Sequence, residues 1–251
     1  MSNLYSEDLR LRAPHCDIHG EWRASAILEA MQEIAAAHCV EMGIGRPVTD
    51  AMGVIWVLTR ARVELERAPR MGEKITIQTW PCAPKHLFYP RRNAFWDEKG
   101  DRIGSADSLW VLMDIHTRHI VNSDVVLSHI PDTAEVFKGN PLGAIRPLEG
   151  AAMTAELMPP YADFDLNGHV NNTKYLDWAC NALGHEVLDA CYLASFAVSY
   201  DAEIRPGVQV RTELVRQDDR FSFCGHAEDR RSFCVLGTLQ AREERLTAYY
   251  K

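Results

Sequence analysis

The sequence predicts an α+β chain made of two tandem units, each a long helix laid across an antiparallel β-sheet. Three observations lead there: an internal repeat, a helical stretch after each copy of it, and period-two alternation downstream of each helix. The Gly- and Pro-rich run from Lys138 to Pro147 reads as the linker, which divides the chain into residues 1–140 and 141–251.

The repeat begins at Asp17 (Asp-Ile-His-Gly-Glu-Trp-Arg-Ala-Ser-Ala-Ile-Leu-Glu) and again at Asp165 (Asp-Leu-Asn-Gly-His-Val-Asn-Asn-Thr-Lys-Tyr-Leu-Asp). An acid, an aliphatic, a polar residue and a glycine coincide, followed at matching places by a hydroxyl residue, a leucine and a second acid. In the first copy Ile27, Leu28, Met31, Ile34 and Ala35 fall on one helical face between about Ala24 and Met42, and Gly43 supplies the stop. In the second copy Leu176, Ala179, Cys180 and Leu183 form the matching stripe, with Gly184 as the stop. Helical spacing alone assigns these positions to core packing.

The strands follow in order. Thr59, Ala61, Val63 and Leu65 alternate with Arg60, Arg62, Glu64 and Glu66, the pattern of a strand with one wet face. A turn at Pro69 to Gly72 leads to a second alternation over Lys74 to Trp80, with Ile75 and Ile77 inward. Val198 to Gly207 repeats the interval of Val63 to Gly72, and Val208 to Leu214 continues as a strand. Phe88 to Asp97 and Ile103 to Ile115 are joined by Glu98-Lys99-Gly100, a hairpin signal.

At 251 residues, 47% apolar and 25% charged, the composition is that of an ordinary globular protein. The longest apolar runs, Gly53 to Leu58 and Leu109 to Met113, are too short to cross a bilayer, so no membrane insertion is expected. The N-terminal residues lack a basic segment followed by an apolar one, which predicts no secretory signal and a cytoplasmic location. A net charge of −8 argues against a nucleic-acid partner.

Seven scattered cysteines (Cys16, Cys39, Cys82, Cys180, Cys191, Cys224, Cys234) with no Cys-x-x-Cys pair predict reduced thiols and no zinc site. His15 with His19 and His116 with His119 have ligand-like spacing but no acidic or Cys cluster beside them, so no metal and no cofactor are expected.

The run Asp165-Leu-Asn167-Gly-His169-Val-Asn171-Asn172-Thr-Lys-Tyr175 sets four polar residues and a glycine in a short stretch before an apolar helix. This segment resembles the signature of hotdog-fold thioesterases, and more narrowly that of the acyl-acyl-carrier-protein (acyl-ACP) thioesterases of plants and bacteria. Trp56 to Arg60, Pro69 to Gly72, Thr79 to Pro81 and Ser108 to Asp114 resemble strands of that family, so the similarity covers nearly the whole chain. It implies two tandem hotdog domains. It also implies hydrolysis of fatty acyl-ACP to free fatty acid and ACP, which ends chain elongation.

By this match the family's catalytic residues fall on Asp165, Asn167 and His169, with a further acid at Glu203. A cysteine often follows that acid in plants; here it is Ile204, which removes a thiol nucleophile from that place. Thioester hydrolysis can proceed without one, given a carboxylate to activate water or attack directly and donors for the oxyanion. Asp165 and Glu203 supply the carboxylates, His169 a hydrogen bond or proton relay near neutral pH, and Asn167 a neutral orienting group. Backbone N–H groups near Asn171 and Asn172, at the start of a helix, offer an oxyanion site. Asp165 as a turn former and Asn172 as an N-cap is the simpler alternative for those two residues.

In the first copy the matching positions are Asp17, His19, Glu21 and Ala68, so the first domain lacks the set. The resemblance implies that this domain houses the acyl chain along the helix from Ile27 to Val40. The partner it implies is an acyl carrier protein, an acidic protein that clustered cations would attract. Arg67 with Arg70, Arg91 with Arg92 and Arg230 with Arg231 are candidates, as are plain solvated strand ends. An acyl-CoA thioesterase is the nearest alternative, and a non-catalytic acyl-thioester-binding protein a more distant one. Monomer and homodimer are both compatible with the sequence.

Overall fold

A computed structural model describes residues 4–131 and 142–242. The expected division between residues 140 and 141 lies outside them. The first half contains β1 (Tyr5–Arg10), α1 (Ala24–Glu41), α2 (Arg46–Ala51), β2 (Val54–Leu65), β3 (Lys74–Pro81), β4 (Tyr89–Trp96), β5 (Arg102–Asp114), β6 (Ile120–Val121) and α3 (Asp124–His129). The second contains β7 (Met153–Leu157), α4 (Lys174–Ala190), β8 (Cys191–Tyr200), β9 (Val210–Gln217), β10 (Arg220–Ala227) and β11 (Arg230–Ala241).

One antiparallel sheet runs through both halves in the order β1-β3-β4-β5-β2-β8-β11-β10-β9-β7, with β6 added on β5. The order within the second half is the mirror of the first, so the halves meet as a pseudo-dimer with β2 against β8. The repeat interval read from the sequence makes Arg62 equivalent to Ala197 and Val63 equivalent to Val198. In the structure Arg62 pairs with Ala197, Ala61 with Val198 and Val63 with Phe196. Equivalent residues thus face each other about a local twofold, the self-complementary pairing of an isologous interface.

The predicted stripe on α1 is buried throughout, and one hydrophobic cluster holds Ile27, Leu28, Met31 and Ile34 together with Tyr175, Leu176, Ala179 and Leu183 of α4. Side chains on the inward face of the strands, Ala61, Val63, Ile75, Phe196, Val198 and Val235, complete it. The two helices therefore share a single core rather than one each.

Three expectations are corrected. Strand β2 starts at Val54, five residues before the predicted Thr59, because the apolar run after Gly53 continues the pairing with β5. Gly184 breaks α4 with φ 78° but does not end it; the chain resumes a helical path to Ala190. The seven cysteines are not all reduced: Cys224 and Cys234 face each other directly on β10 and β11 with Cα atoms 4.2 Å apart and are disulfide-bonded. Hairpin register brings together two residues whose sequence spacing carries no motif.

Candidate active site

The site begins with a tight turn that the sequence encodes in full. Asp165 N–H donates to the carbonyl of His169 (3.0 Å) and Gly168 N–H to that of Asp165 (3.0 Å). Gly168 sits at φ 79°, where a residue with a Cβ is disfavoured. The Asp165 Oδ1 accepts the N–H of Asn167 at 2.8 Å, and its Oδ2 lies 3.5 Å from the Asn167 amide nitrogen. The turn folds His169 back over Asp165, with Nδ1 and Oδ1 3.9 Å apart.

A second contact brings in the distant acid. Val170 N–H donates to the carbonyl of Ile204 at 2.9 Å, which lays Glu203 beside His169, Nε2 to Oε1 3.3 Å. Ile204 itself is fully buried in the core. The expected set of Asp165, Asn167, His169 and Glu203 is thus brought together on one wall of a cavity of about 1280 Å³. Tyr175 and Tyr200 stand in the same wall with ring centroids 5.7 Å apart. Burial, with the Asp165 and Glu203 carboxylates nearby, raises the Tyr175 phenol well above its ordinary pKa, so it stays a neutral donor.

The two asparagines part company. Asn172 lines the cavity. The Asn171 N–H, expected as an oxyanion donor, is taken by the carbonyl of Asp163 at 2.8 Å. Its side-chain oxygen accepts the Thr173 N–H (3.0 Å) and hydroxyl (2.9 Å), so Asn171 shapes the helix entrance instead. An Asn in this sequence context is equally suited to either task, and only the fold decides.

Sequence reasoning missed Arg118. It lies in the turn between β5 and β6 of the first half, and its Nη2 hydrogen-bonds the Glu203 Oε1 in the second. Arg205 lies 4.0 Å from the other oxygen and is largely exposed. No spacing in the sequence relates residues 118 and 203; only the join of β2 to β8 does.

The same turn exists in the first half with different contents. Asp17 N–H donates to Glu21 (2.9 Å), Gly20 N–H to Asp17 (3.0 Å), and Trp22 N–H to Pro69 (2.8 Å), which puts Ala68 in the place of Glu203. Glu21, where the second copy has His169, is 4% exposed and bonds Arg242 at 2.6 Å. Burial raises the Glu21 pKa, and Arg242 acts against that rise. His19 makes a 3.1 Å contact with Asp189 on α4. The first turn is therefore closed by an ion pair.

The cavity runs from the His169 wall into the first half. Gln32, Ala35, Ala36, Cys39 and Val40 of α1 border it with Met42 just beyond, and Trp56, Leu58 and Trp110 do so on the strands. Ile27, Leu28 and Met31 do not; they pack within the core. The three expected cation pairs are also revised. Arg67 is held by Glu73 (2.7 Å), and Arg91 is buried against His38 (3.0 Å) and Thr79 (3.2 Å), where burial lowers its pKa. Arg92 pairs with Asp107 at 3.5 Å and Arg231 with Asp201 at 2.6 Å; Arg70 is exposed but does not line the cavity, and Arg230 is exposed at the cavity rim with Arg205.

Among the described residues no group of three His, Cys, Asp or Glu side chains converges on a point where a metal would sit. The Cys180 thiol on α4 is pushed up to about 12 by burial. Among the described residues no helix is long and apolar enough to cross a membrane.

The chain is an α+β tandem hotdog with one charged wall on a long cavity. Residues 2–127 match the model of the acyl-ACP thioesterase N-terminal domain and residues 148–235 that of its C-terminal domain; the chain belongs to the acyl-ACP thioesterase family. It is 29% identical over 220 residues to an oleoyl-acyl carrier protein thioesterase of Coriandrum sativum, covering 79% of this chain and 59% of that one. It is 26% identical over 225 residues to a palmitoyl-acyl carrier protein thioesterase of Gossypium hirsutum, covering 80% and 52%. The chain thus spans only about half to three-fifths of the curated relatives' length. Two solved structures share the fold: an acyl-ACP thioesterase from Bacteroides thetaiotaomicron (TM-score 0.83, 22% identity, 96% and 100% covered) and a 12:0-ACP thioesterase from Umbellularia californica (0.84, 20%, 96% and 99%).

Proposed function

We propose that this protein hydrolyses fatty acyl-ACP to free fatty acid and ACP, with the chemistry in the second half and the acyl chain in the first. The observation that carries this reading is the single cavity that joins the His169–Glu203 pair to apolar space beneath α1. Its volume exceeds the roughly 300–1,000 Å³ of ordinary small-molecule pockets, as a long flexible chain requires. The acyl chain lies along α1 from Gln32 onward, not from Ile27.

Glu203 is the base. Its carboxylate is the one nearest to His169, whereas the Asp165 Oδ1 is engaged in the turn, as the Asp17 Oδ1 is in the first copy. Glu203 takes a proton from water, the hydroxide oxygen bonds to the thioester carbonyl carbon, and the C–S bond breaks. The departing sulfur receives that proton through His169, which leaves a carboxylic acid and a thiol. Asn167 and Asn172 orient the carbonyl oxygen, and Asp165 holds His169. The exposed Arg205 and Arg230 at the rim favour an acidic carrier.

The test is release of free fatty acid from medium- and long-chain acyl-ACP by the wild-type protein and by His169→Ala. Turnover by the first and its loss in the second, at equal melting temperature, support the reading. Full turnover by the variant removes His169 from the mechanism.

A further inference from the structure

Arg118 enters the wall around Glu203 from the first half, on the β5–β6 turn, and how that turn is built bears on what the residue does. The Asp114 Oδ1 accepts the N–H of His116 (2.9 Å), the N–H of Thr117 (2.7 Å) and the Thr117 hydroxyl (3.0 Å). These bonds, the Thr117 N–H foremost, hold the Asp114 carboxyl below the usual carboxylate range. The Asp114 N–H donates to the carbonyl of His119 (2.9 Å), and the Arg118 N–H donates to the carbonyl of Asp114 (3.0 Å). The pairing of Leu112 with Val121 and Met113 with Ile120 clamps the base of the turn.

At the tip Arg118 has φ 59°. Short hairpin turns commonly place a residue in this left-handed conformation, and Asp218, Glu228 and Asp229 share it, so the turn itself accounts for the backbone. The gain in stability is small, because the Arg118 and Glu203 side chains are 44% and 32% exposed and solvent screens such a pair. The contact is therefore of little use to stability, and the chemistry of Glu203 gives it another use. The Glu203 Oε1 accepts from Arg118 Nη2 and lies 3.3 Å from His169 Nε2, and these two contacts orient the carboxylate.

We infer that Arg118 is a positioning residue that locks Glu203 in the rotamer required of the base, so that the active site is completed across the pseudo-dimer by the first half. This rests on the assignment of Glu203 as base. Arg118 also lines the cavity, but in this role it acts through Glu203 rather than on the thioester. A carboxylate free to rotate would spend most of its time misaligned, and misplacement of a reacting group by about 1 Å can cost on the order of a hundredfold in rate.

The experiment compares Arg118→Ala, Arg118→Gln and Arg118→Lys with wild type and Glu203→Gln, measuring kcat, KM on acyl-ACP and melting temperature. Arg118→Ala and Arg118→Gln should lower kcat by about tenfold to a hundredfold and leave KM within about twofold, with melting temperature shifted by no more than about 2 °C. Arg118→Lys, which keeps the charge but not the fork, should recover part of kcat, and ethylguanidine added to Arg118→Ala should restore some of the lost rate. An unchanged kcat in Arg118→Ala overturns the inference, as does a rise in KM alone, which would make Arg118 a substrate contact. If Arg118→Ala does not fold, the kcat of Arg118→Gln decides in the same way. Full activity in Glu203→Gln would overturn the base assignment itself, whereas a dead Glu203→Gln beside a fully active Arg118→Ala would sink the role of Arg118 alone.

Discussion

Val170 donates its N–H to the carbonyl of Ile204 at 2.9 Å, and Trp22 makes the equivalent bond to Pro69 at 2.8 Å. One backbone contact is thus kept in both halves, while the side chains it aligns have diverged. In the second half it sets His169 beside Glu203; in the first it sets Glu21 beside Ala68. The catalytic asymmetry proposed for the chain comes down to that difference.

Replacement of the aligned groups should therefore stop the reaction without unfolding the protein. Glu203→Gln keeps shape and removes the base, so kcat should fall at least about a hundredfold, roughly 2.7 kcal/mol of barrier. Glu203 is partly exposed, so melting temperature should hold. Activity within tenfold of wild type would mean that another carboxylate activates water.

The two repeat aspartates provide a paired comparison. Both accept turn N–H bonds through Oδ1, Asp165 from Asn167 and Asp17 from His19 and Glu21, and an asparagine oxygen can do the same. Asp165→Asn removes the charge facing His169 and should lose most of the turnover, whereas Asp17→Asn should retain most of it. Comparable losses, with melting temperature as the folding control, would show that the first turn also takes part in the chemistry.

The buried pair that closes the first turn should reveal itself through pH. Arg242→Ala leaves Glu21 buried without its cation, a change that typically costs about 3–5 kcal/mol. Burial already raises the Glu21 pKa in the folded state. A carboxyl with a raised folded pKa favours folding below its unfolded value of about 4.3 and loses that contribution as pH rises through the folded value. The gap in melting temperature between Arg242→Ala and wild type should be wide at pH 7 and shrink as the pH falls toward 4. A gap independent of pH would assign the loss to packing alone.

Thiol chemistry and metals should be dispensable. Ile204 is buried where a plant relative often has cysteine, and burial holds Cys180 at about 12 and raises Cys39 as well. Iodoacetamide at neutral pH should slow turnover no more than the bulk it adds at the cavity wall near Cys39, and dialysis against a chelator should leave the rate unchanged. Loss of activity in step with modification of one thiol, at unchanged substrate binding, would contradict this.

Much of the fold and site is legible in the sequence because it is local. The repeat, the α1 stripe, the β4–β5 hairpin and the Asp165–His169 turn each depend on residues within a few positions of one another. Even the equivalence of Ala68 with Glu203 is visible, since the Val-to-Gly interval is the same in both copies. What escapes depends on sheet order. Arg118 meets Glu203 because β2 pairs with β8, Cys224 meets Cys234 through hairpin register, and Arg91 turns inward toward His38 where alternation alone suggests a solvated strand end. The extent of the cavity along α1 is hidden for a related reason. Ile27 and Val40 have the same apolar character, and only the shared core with α4 decides which of them is already covered.

The use proposed for this cavity and its charged wall, hydrolysis of acyl groups carried by ACP, is tested most directly by one comparison. It is kcat/KM for a single acyl group presented on ACP and on CoA, determined side by side with the wild-type protein. The value on ACP should be higher, with both activities abolished by Glu203→Gln. An equal or higher value on CoA would contradict the carrier assignment, and hydrolysis of neither thioester would contradict the proposed function as a whole.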